Sequence, residues 1–416
     1  MIALRPFTAM LISVVLSLVP AFQSPSAPDT TPITSWFTSS DNVSGDAFGV
    51  RISMSGDTVV IGDNDDSHDA PWSGSAYVFV RDGAGWVQQQ KLLPTTPASN
   101  QVFGTSVSID GDTIVVGAPG EVAPITGALG AAYVFVRDGS NWMLHQKLLL
   151  PDSRSGGGFG GAVAISGNSL VVTAGGDGDE NFLPGSAAVF TRDQNGVWSF
   201  QQKVRPSDQI RDQMYGGSVA ISGDTVLVGS EYIAPIHGAG IGVVYVYERV
   251  GTVWSETRKL TSSTWKGGYE FGRYLAIDGD IAVIGAYHEE HGSNTRGSVY
   301  VFVRDRGEWA QQQKLFVKEE LGEWDAFGVS VAIHGSTIIA GNNGADFQRG
   351  AAYVFTADDK LNWSLQTKLV ASDGLMDDIV GTSVATNGSE VLVGAARKFI
   401  DGPSCGAVYF SDITIP

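Results

Sequence analysis

An aromatic-glycine pair returns along the chain at Phe48-Gly49, Phe103-Gly104, Phe159-Gly160, Tyr215-Gly216, Phe271-Gly272 and Phe327-Gly328, with Val380-Gly381 as a degenerate seventh copy. The steps between copies are 55, 56, 56, 56, 56 and 53 residues. A period this regular signals one supersecondary unit copied seven times, each able to bury its apolar face only against its neighbours. The 416 residues are therefore predicted to form one repeat array instead of the two or three domains that length alone suggests.

Each pair opens a short alternating strand, followed by a Gly-Asp-like turn and a β-branched run that ends in glycine, as in Gly111-Asp112, Thr113 to Val116 and Gly117-Ala118-Pro119. A third strand follows a further glycine, at Gly74 to Phe79, Gly130 to Phe135, Gly185 to Phe190, Gly242 to Tyr247, Gly297 to Phe302, Gly350 to Phe355 and Gly406 to Phe410. A fourth begins at Trp86, Trp142, Trp198, Trp254, Trp309 or Trp363 and reaches Lys91, Lys147, Lys203, Lys259, Lys314 or Lys368. The seventh repeat ends before its own fourth strand. At the other end of the chain, Ile33 to Phe37 stands before Phe48 as the lysine strand stands before each later pair, and Trp36 precedes Phe48 by twelve residues as Lys91 precedes Phe103. The N-terminal segment is thus predicted to complete the seventh blade and close a ring, which removes free sheet edges.

Alternation within the first strand puts large side chains (Ile52 and Met54, Val107 and Ile109) on one face and small ones (Ser53, Ser108, Ala164) on the other. A bulky face can then pack on the flat face of the next sheet. Glycine in Gly56-Asp57, Gly111-Asp112, Gly223-Asp224 and Gly279-Asp280 supplies the positive φ of a two-residue hairpin, and the aspartates read as turn formers.

The recurring Phe-Gly, the Gly117-Ala118-Pro119 triplet and the Gly-x-x-Tyr-Val-Phe strands together resemble FG-GAP repeats, the units of the integrin α-subunit propeller. The short turns and the Trp…Gln-Lys-Leu strand are most similar to the bacterial form, and the resemblance spans residues 33 to 410. It implies an all-β, seven-bladed β-propeller of four-stranded antiparallel blades, and a role in extracellular recognition, adhesion or scaffolding. Integrin-type repeats often carry an Asp-x-Asp-x-Asp-Gly calcium loop between the first two strands. Here that connection is a tight turn, so the family's calcium ligands cannot be carried over.

Arg5, the apolar stretch from Phe7 to Val19 and the small residues around Ala21 read as a signal peptide over residues 1–21. The apolar run is shorter than the roughly 20 residues of a spanning helix. A linker over 22–32, a propeller over 33–416 and a secreted or cell-surface location are the corresponding expectations, with no anchoring tail at Ser411 to Pro416. A formal charge of −18 argues against nucleic acid or an anionic membrane surface as partner. An extracellular protein or glycan fits better, bound by a monomer with no stable membrane insertion. The single cysteine, Cys405, offers no disulfide framework.

In a four-stranded antiparallel blade the 2–3 loops and the inter-blade connections share one end of the ring, and they hold nearly all the chemical variation. Asp63, Asp65, Asp66 and Asp69 in the first repeat, with Asp177, Asp179 and Glu180 in the third, are candidate calcium ligands; the alternative is a solvated acidic loop. His288, Glu289, Glu290 and His291 form a second cluster, expected to face Tyr232 and His237. A Tyr-His pair drawn from Tyr232, His237 and His288 would suit a lyase acting on acidic sugars, and polar loop histidines are the alternative. Trp72, Trp265, Trp324, Tyr287 and Phe347 are candidates for stacking on sugars or anchoring a protein, or else pack on their own blades. The absence of a convincing nucleophile-base-orienter set leads to a non-catalytic reading.

Overall fold

The computed structural model describes residues 29–413 apart from 68, 84, 123–128, 152–156, 179–183, 209–213, 234–240, 265–269, 292–293, 296, 318–324, 401 and 403. The expected leader and the residues after it up to 28 lie outside this set. The chain is an all-β propeller of seven antiparallel blades, and Ala345–Gln348 is the one helical turn among the described residues. Among those residues no helix is long and apolar enough to cross a membrane.

Blade 2 shows the plan, with strands Ser106–Asp110, Thr113–Val122, Leu129–Asp138 and Asn141–Leu148 paired in chain order. The middle strands read as continuous apolar runs because both of their faces are covered by neighbouring blades. Val59, Val60 and Ile61, or Ile114, Val115 and Val116, are wholly buried in consequence. The core is therefore a ring of inter-blade seams. Between blades 1 and 2, Val78 and Leu92 pack with Ile114, Phe135 and Trp142. Each large side chain buried this way contributes about 1.5–3 kcal/mol.

The aromatic-glycine pair is the joint between blades. Phe103 is buried, and it forms a parallel bridge with Gly74 of the preceding blade. Gly104 then takes φ +89°, and a Cβ there would lie 2.1 Å from the carbonyl oxygen of Ser75. Only glycine permits that approach. Outer strands are joined as well: Gln90 donates to the Trp142 carbonyl at 2.8 Å and accepts from the Trp142 N–H at 2.7 Å. Gln146 with Trp198, Gln202 with Trp254 and Gln313 with Trp363 repeat this exchange.

Ring closure follows the sequence expectation in part. The Ser383 hydroxyl of blade 7 donates to the Gly49 carbonyl of blade 1 at 2.6 Å, as Ser106 does to Gly160 and Ser330 to Gly381. Ser35–Phe37 pairs with the third strand of blade 7, and Trp36 stands opposite Tyr409 as Lys91 stands opposite Tyr77. The expected strand from Ile33 to Phe37 is nevertheless divided. Thr30–Ile33 pairs in parallel with Trp363–Ala371 and becomes a fifth strand on blade 6. Thr367 draws it there, its hydroxyl bonding the Asp29 carbonyl and the Thr31 hydroxyl, each at 2.8 Å. Blade 7 thus keeps only half of an outer strand.

Candidate functional site

The two ends of the ring differ in chemistry. At one end, tight turns hold glycines near φ +55°, and turn aspartates such as Asp112, Asp224 and Asp280 pair with Arg137, Arg249 and Arg304. Those arginines lie over the tryptophans of their own blades. The other end carries the 2–3 loops and the inter-blade connections. Beneath it runs a circle of part-buried polar nodes.

In blade 1 the Lys91 ammonium lies 5.2 Å from the centre of the Tyr77 ring and pairs with Asp41 at 2.6 Å and Asp66 at 2.7 Å. The Tyr77 hydroxyl donates to the same two carboxylates. Lys147 and Tyr133 share Glu121 in blade 2, Lys259 and Tyr245 share Asp208 in blade 4, and Lys314 and Tyr300 share Glu289 in blade 5. In blade 6 the Lys368 ammonium lies over Tyr353 and pairs with Asp346. Blade 3 has Ala188 at the tyrosine register, and there Asp177 receives Lys203, Arg205 and the Ser186 hydroxyl.

Burial alone would raise the Glu289 carboxyl, but hydrogen bonds from Lys314, Thr264, Ser298 and Tyr300 hold it below the ordinary glutamate range. Asp208 and Asp373 are held low by their lysine and tyrosine partners in the same way. Burial in turn pushes the phenols of Tyr77, Tyr245 and Tyr300 upward. The nodes tie the loops above them to the blades through paired, hydrogen-bonded groups.

Several of the acidic candidates fall into this circle. Asp66 and Asp177 are committed to lysines, as above. Asp63 is wholly buried; one oxygen accepts from the Ala47 N–H at 2.9 Å, and the other has no hydrogen-bond partner. Burial pushes its carboxyl well up, and the charges of Asp46, Asp66 and Asp65 add to that. Asp65 is half-buried and Asp69 exposed. Asp179 and Glu180 lie outside the described residues. Among the described residues, no three His, Cys, Asp or Glu side chains come together as a metal ion would require.

The histidine cluster takes a different form from the one expected. His288 Nδ1 lies 2.9 Å from Glu270, its ring sits tilted 4.0 Å from that of Tyr287, and Tyr287 meets Tyr274 edge-on at 5.8 Å. Burial, then the hydrogen bond that its hydroxyl donates to Glu270, pushes the Tyr287 phenol up. Glu289 belongs to the blade 5 node. The side chains of Tyr232, Glu290 and His291, and the whole of His237, Trp265 and Trp324, lie outside the described residues. Trp72 and Phe347 are exposed, at 56% and 79%, on backbone of φ +52° and +59°. Positive φ is costly for such residues.

The FG-GAP repeat family model matches residues 34–79, 86–135, 142–190, 198–247, 254–302, 309–355 and 363–410. The chain belongs to the FG-GAP repeat family. No curated protein matches it in sequence. Among solved structures this FG-GAP propeller is similar to Sqt1 from Chaetomium thermophilum, at 14% identity over 91% of this chain and 88% of that one, with a TM-score of 0.48. The β-propeller domain of the Trilobed protease from Pyrococcus furiosus is similar at 10% identity over 84% of this chain and 91% of that one, also with a TM-score of 0.48.

Two columns of the FG-GAP repeat supply most of the node carboxylates. Asp66, Glu121 and Glu289 stand four residues after Gly62, Gly117 and Gly285, and Asp41, Asp208 and Asp373 stand five after Trp36, Lys203 and Lys368. Both columns keep fixed spacing from the repeat's own markers, the glycine that ends the second strand and the lysine of the fourth.

Proposed function

We propose that this FG-GAP propeller is a non-catalytic recognition module, secreted or held at the cell surface, that binds an extracellular protein or glycan through its 2–3 and inter-blade loops. The observation that carries the reading is the exposure of Trp72 and Phe347 on that end, on positive-φ backbone above a ring of part-buried ion pairs. Rigid presentation of large apolar side chains lowers the ordering cost of binding. The N-terminal segment 1–21 supports the location, having the charge and apolar core of an export signal.

The test is a screen of extracellular proteins and a glycan array, probed with the native chain and with a Trp72→Ser/Phe347→Ser variant. The reading requires a partner that the variant loses. It fails if no partner is found, or if binding survives that change and is lost instead on substitution of Val253 at the opposite end.

A second reading has the Glu270–His288 pair in its favour: a carbohydrate-active enzyme in which the oriented imidazole removes a proton from an acidic polysaccharide. Unsaturated products that form with the native chain and vanish in His288→Ala would put this reading in place of the first.

A further inference from the structure

Six of the seven seams between blades hold the same aromatic pair, one ring from a third strand and a tryptophan from an outer strand. These are Phe79 with Trp86, Phe135 with Trp142, Phe190 with Trp198, Tyr247 with Trp254, Phe302 with Trp309, and Phe355 with Trp363. In the seam between blades 6 and 7 those two positions hold no ring; its aromatics are Tyr409 and the partly buried Trp36, which stand at the places of Tyr77 and Lys91. Ser411, two residues after Tyr409, takes the place of Phe79, two residues after Tyr77; Thr31, seventeen residues before Phe48, takes the place of Trp86, seventeen before Phe103.

A groove of about 380 Å³ opens at that seam, and both Ser411 and Thr31 line it. Its other walls include Val354, Leu369 and Val391. These occupy the repeat positions of Val78, Leu92 and Ile114, the side chains packed with Trp142 between blades 1 and 2. The groove is thus a tryptophan slot whose apolar lining is kept and to whose wall no described residue contributes an aromatic ring. Thr30–Ile33, which would carry that ring, is paired to blade 6.

We propose that this groove receives a tryptophan side chain borne on an extended segment of a partner protein. Six filled copies within the same molecule show what fits the lining. The extended form follows from the edge beside the slot: Ser35–Phe37 covers only Val408–Phe410. Beyond Phe410 the outer edge of blade 7 has no strand beside it among the described residues. Backbone edge and aromatic slot lie together, as strand addition requires. The site is at the outer strands and is separate from the loop end considered above.

The probe is a synthetic peptide with the sequence of residues 85–91, Gly-Trp-Val-Gln-Gln-Gln-Lys, fluorine-labelled on the indole and followed by fluorine NMR with the full chain. Saturable binding is expected. Unlabelled peptide should displace the probe about ten-fold better than the same peptide with alanine for tryptophan, as for a buried aromatic anchor. Thr31→Trp supplies the missing ring from within the chain, so it should abolish probe binding and raise the unfolding midpoint. Ser411→Phe narrows the slot without touching the N-terminal strand and should weaken binding even if the first variant fails to fold. No saturable binding to the native chain, or binding unchanged in Ser411→Phe, would overturn the proposal. Binding that appears only after residues 1–28 are removed would also overturn it, because the chain would then be filling its own slot.

Discussion

Lys398 lies 5.2 Å from the centre of the Tyr409 ring, although its place in the repeat is that of the carboxylates Asp66, Glu121 and Glu289. Blade 7 has Trp36 where the other blades have a lysine, so the ammonium arrives from the 2–3 loop. The carboxylate comes from the preceding connection: Asp373 pairs with Lys398 at 3.0 Å and accepts from Tyr409 at 2.6 Å. The node keeps its charges while its donors trade places. Lys398→Met leaves buried Asp378, 4.0 Å away, without its cation. A loss of about 2–4 kcal/mol is expected in urea unfolding, and restoring the usual order with Trp36→Lys in that background should recover part of it.

Glu289→Gln tests the charge of a node directly. The folded carboxyl is held below its unfolded value, so its stabilisation is complete above the unfolded glutamate range near pH 4 and is lost as pH falls through the folded value. The variant should lose about 2–3 kcal/mol at pH 7. The difference from the native protein should shrink in acid, where both side chains are neutral; a gap that persists unchanged at low pH would assign the loss to shape.

Asp63→Asn has the opposite sign. Burial raises the folded Asp63 carboxyl well above its unfolded value, so the native protein loses stability as pH rises from about 4 toward the folded value. Blade 6 already carries the amide, with Asn342 accepting from the Ala326 N–H at 2.9 Å as Asp63 does from Ala47. A gain of about 1–3 kcal/mol is expected at neutral pH, vanishing below about pH 4. Thermal unfolding across pH measures it.

Two glycine substitutions separate backbone conformation from contact. A methyl group added to Gly56, φ +55°, would meet nothing within 4 Å, whereas at Gly104 it would lie 2.1 Å from the Ser75 carbonyl oxygen. Gly56→Ala should cost about 1 kcal/mol from positive φ alone. Gly104→Ala should cost at least twice that, with slower assembly of the seam between blades 1 and 2. Equal losses by chemical denaturation would show that seam backbone shifts freely.

The seven blades, the strand order within them and the register of Trp36 against Tyr409 were all legible from spacing, because the copies report on one another. The fate of Thr30–Ile33 was not. Its path depends on Thr367 bonding Asp29 and Thr31, a competition between two sheet edges that no local pattern encodes. In the candidate site, exposed Trp72 was readable as a loop aromatic. Asp66 and Asp177 were readable only as acidic, since the lysines that occupy them come from strands 25 or more residues away in sequence.

The junction of Ser35–Phe37 with Val408–Phe410 joins two segments that lie more than 370 residues apart along the polypeptide. A ribosome must therefore reach the third strand of blade 7 before the circle can shut, and a nascent chain cut short of it is left as an open arc with exposed rims. Such a topology makes completeness itself a condition of stability: premature termination yields material fit for proteolysis, not a smaller working version.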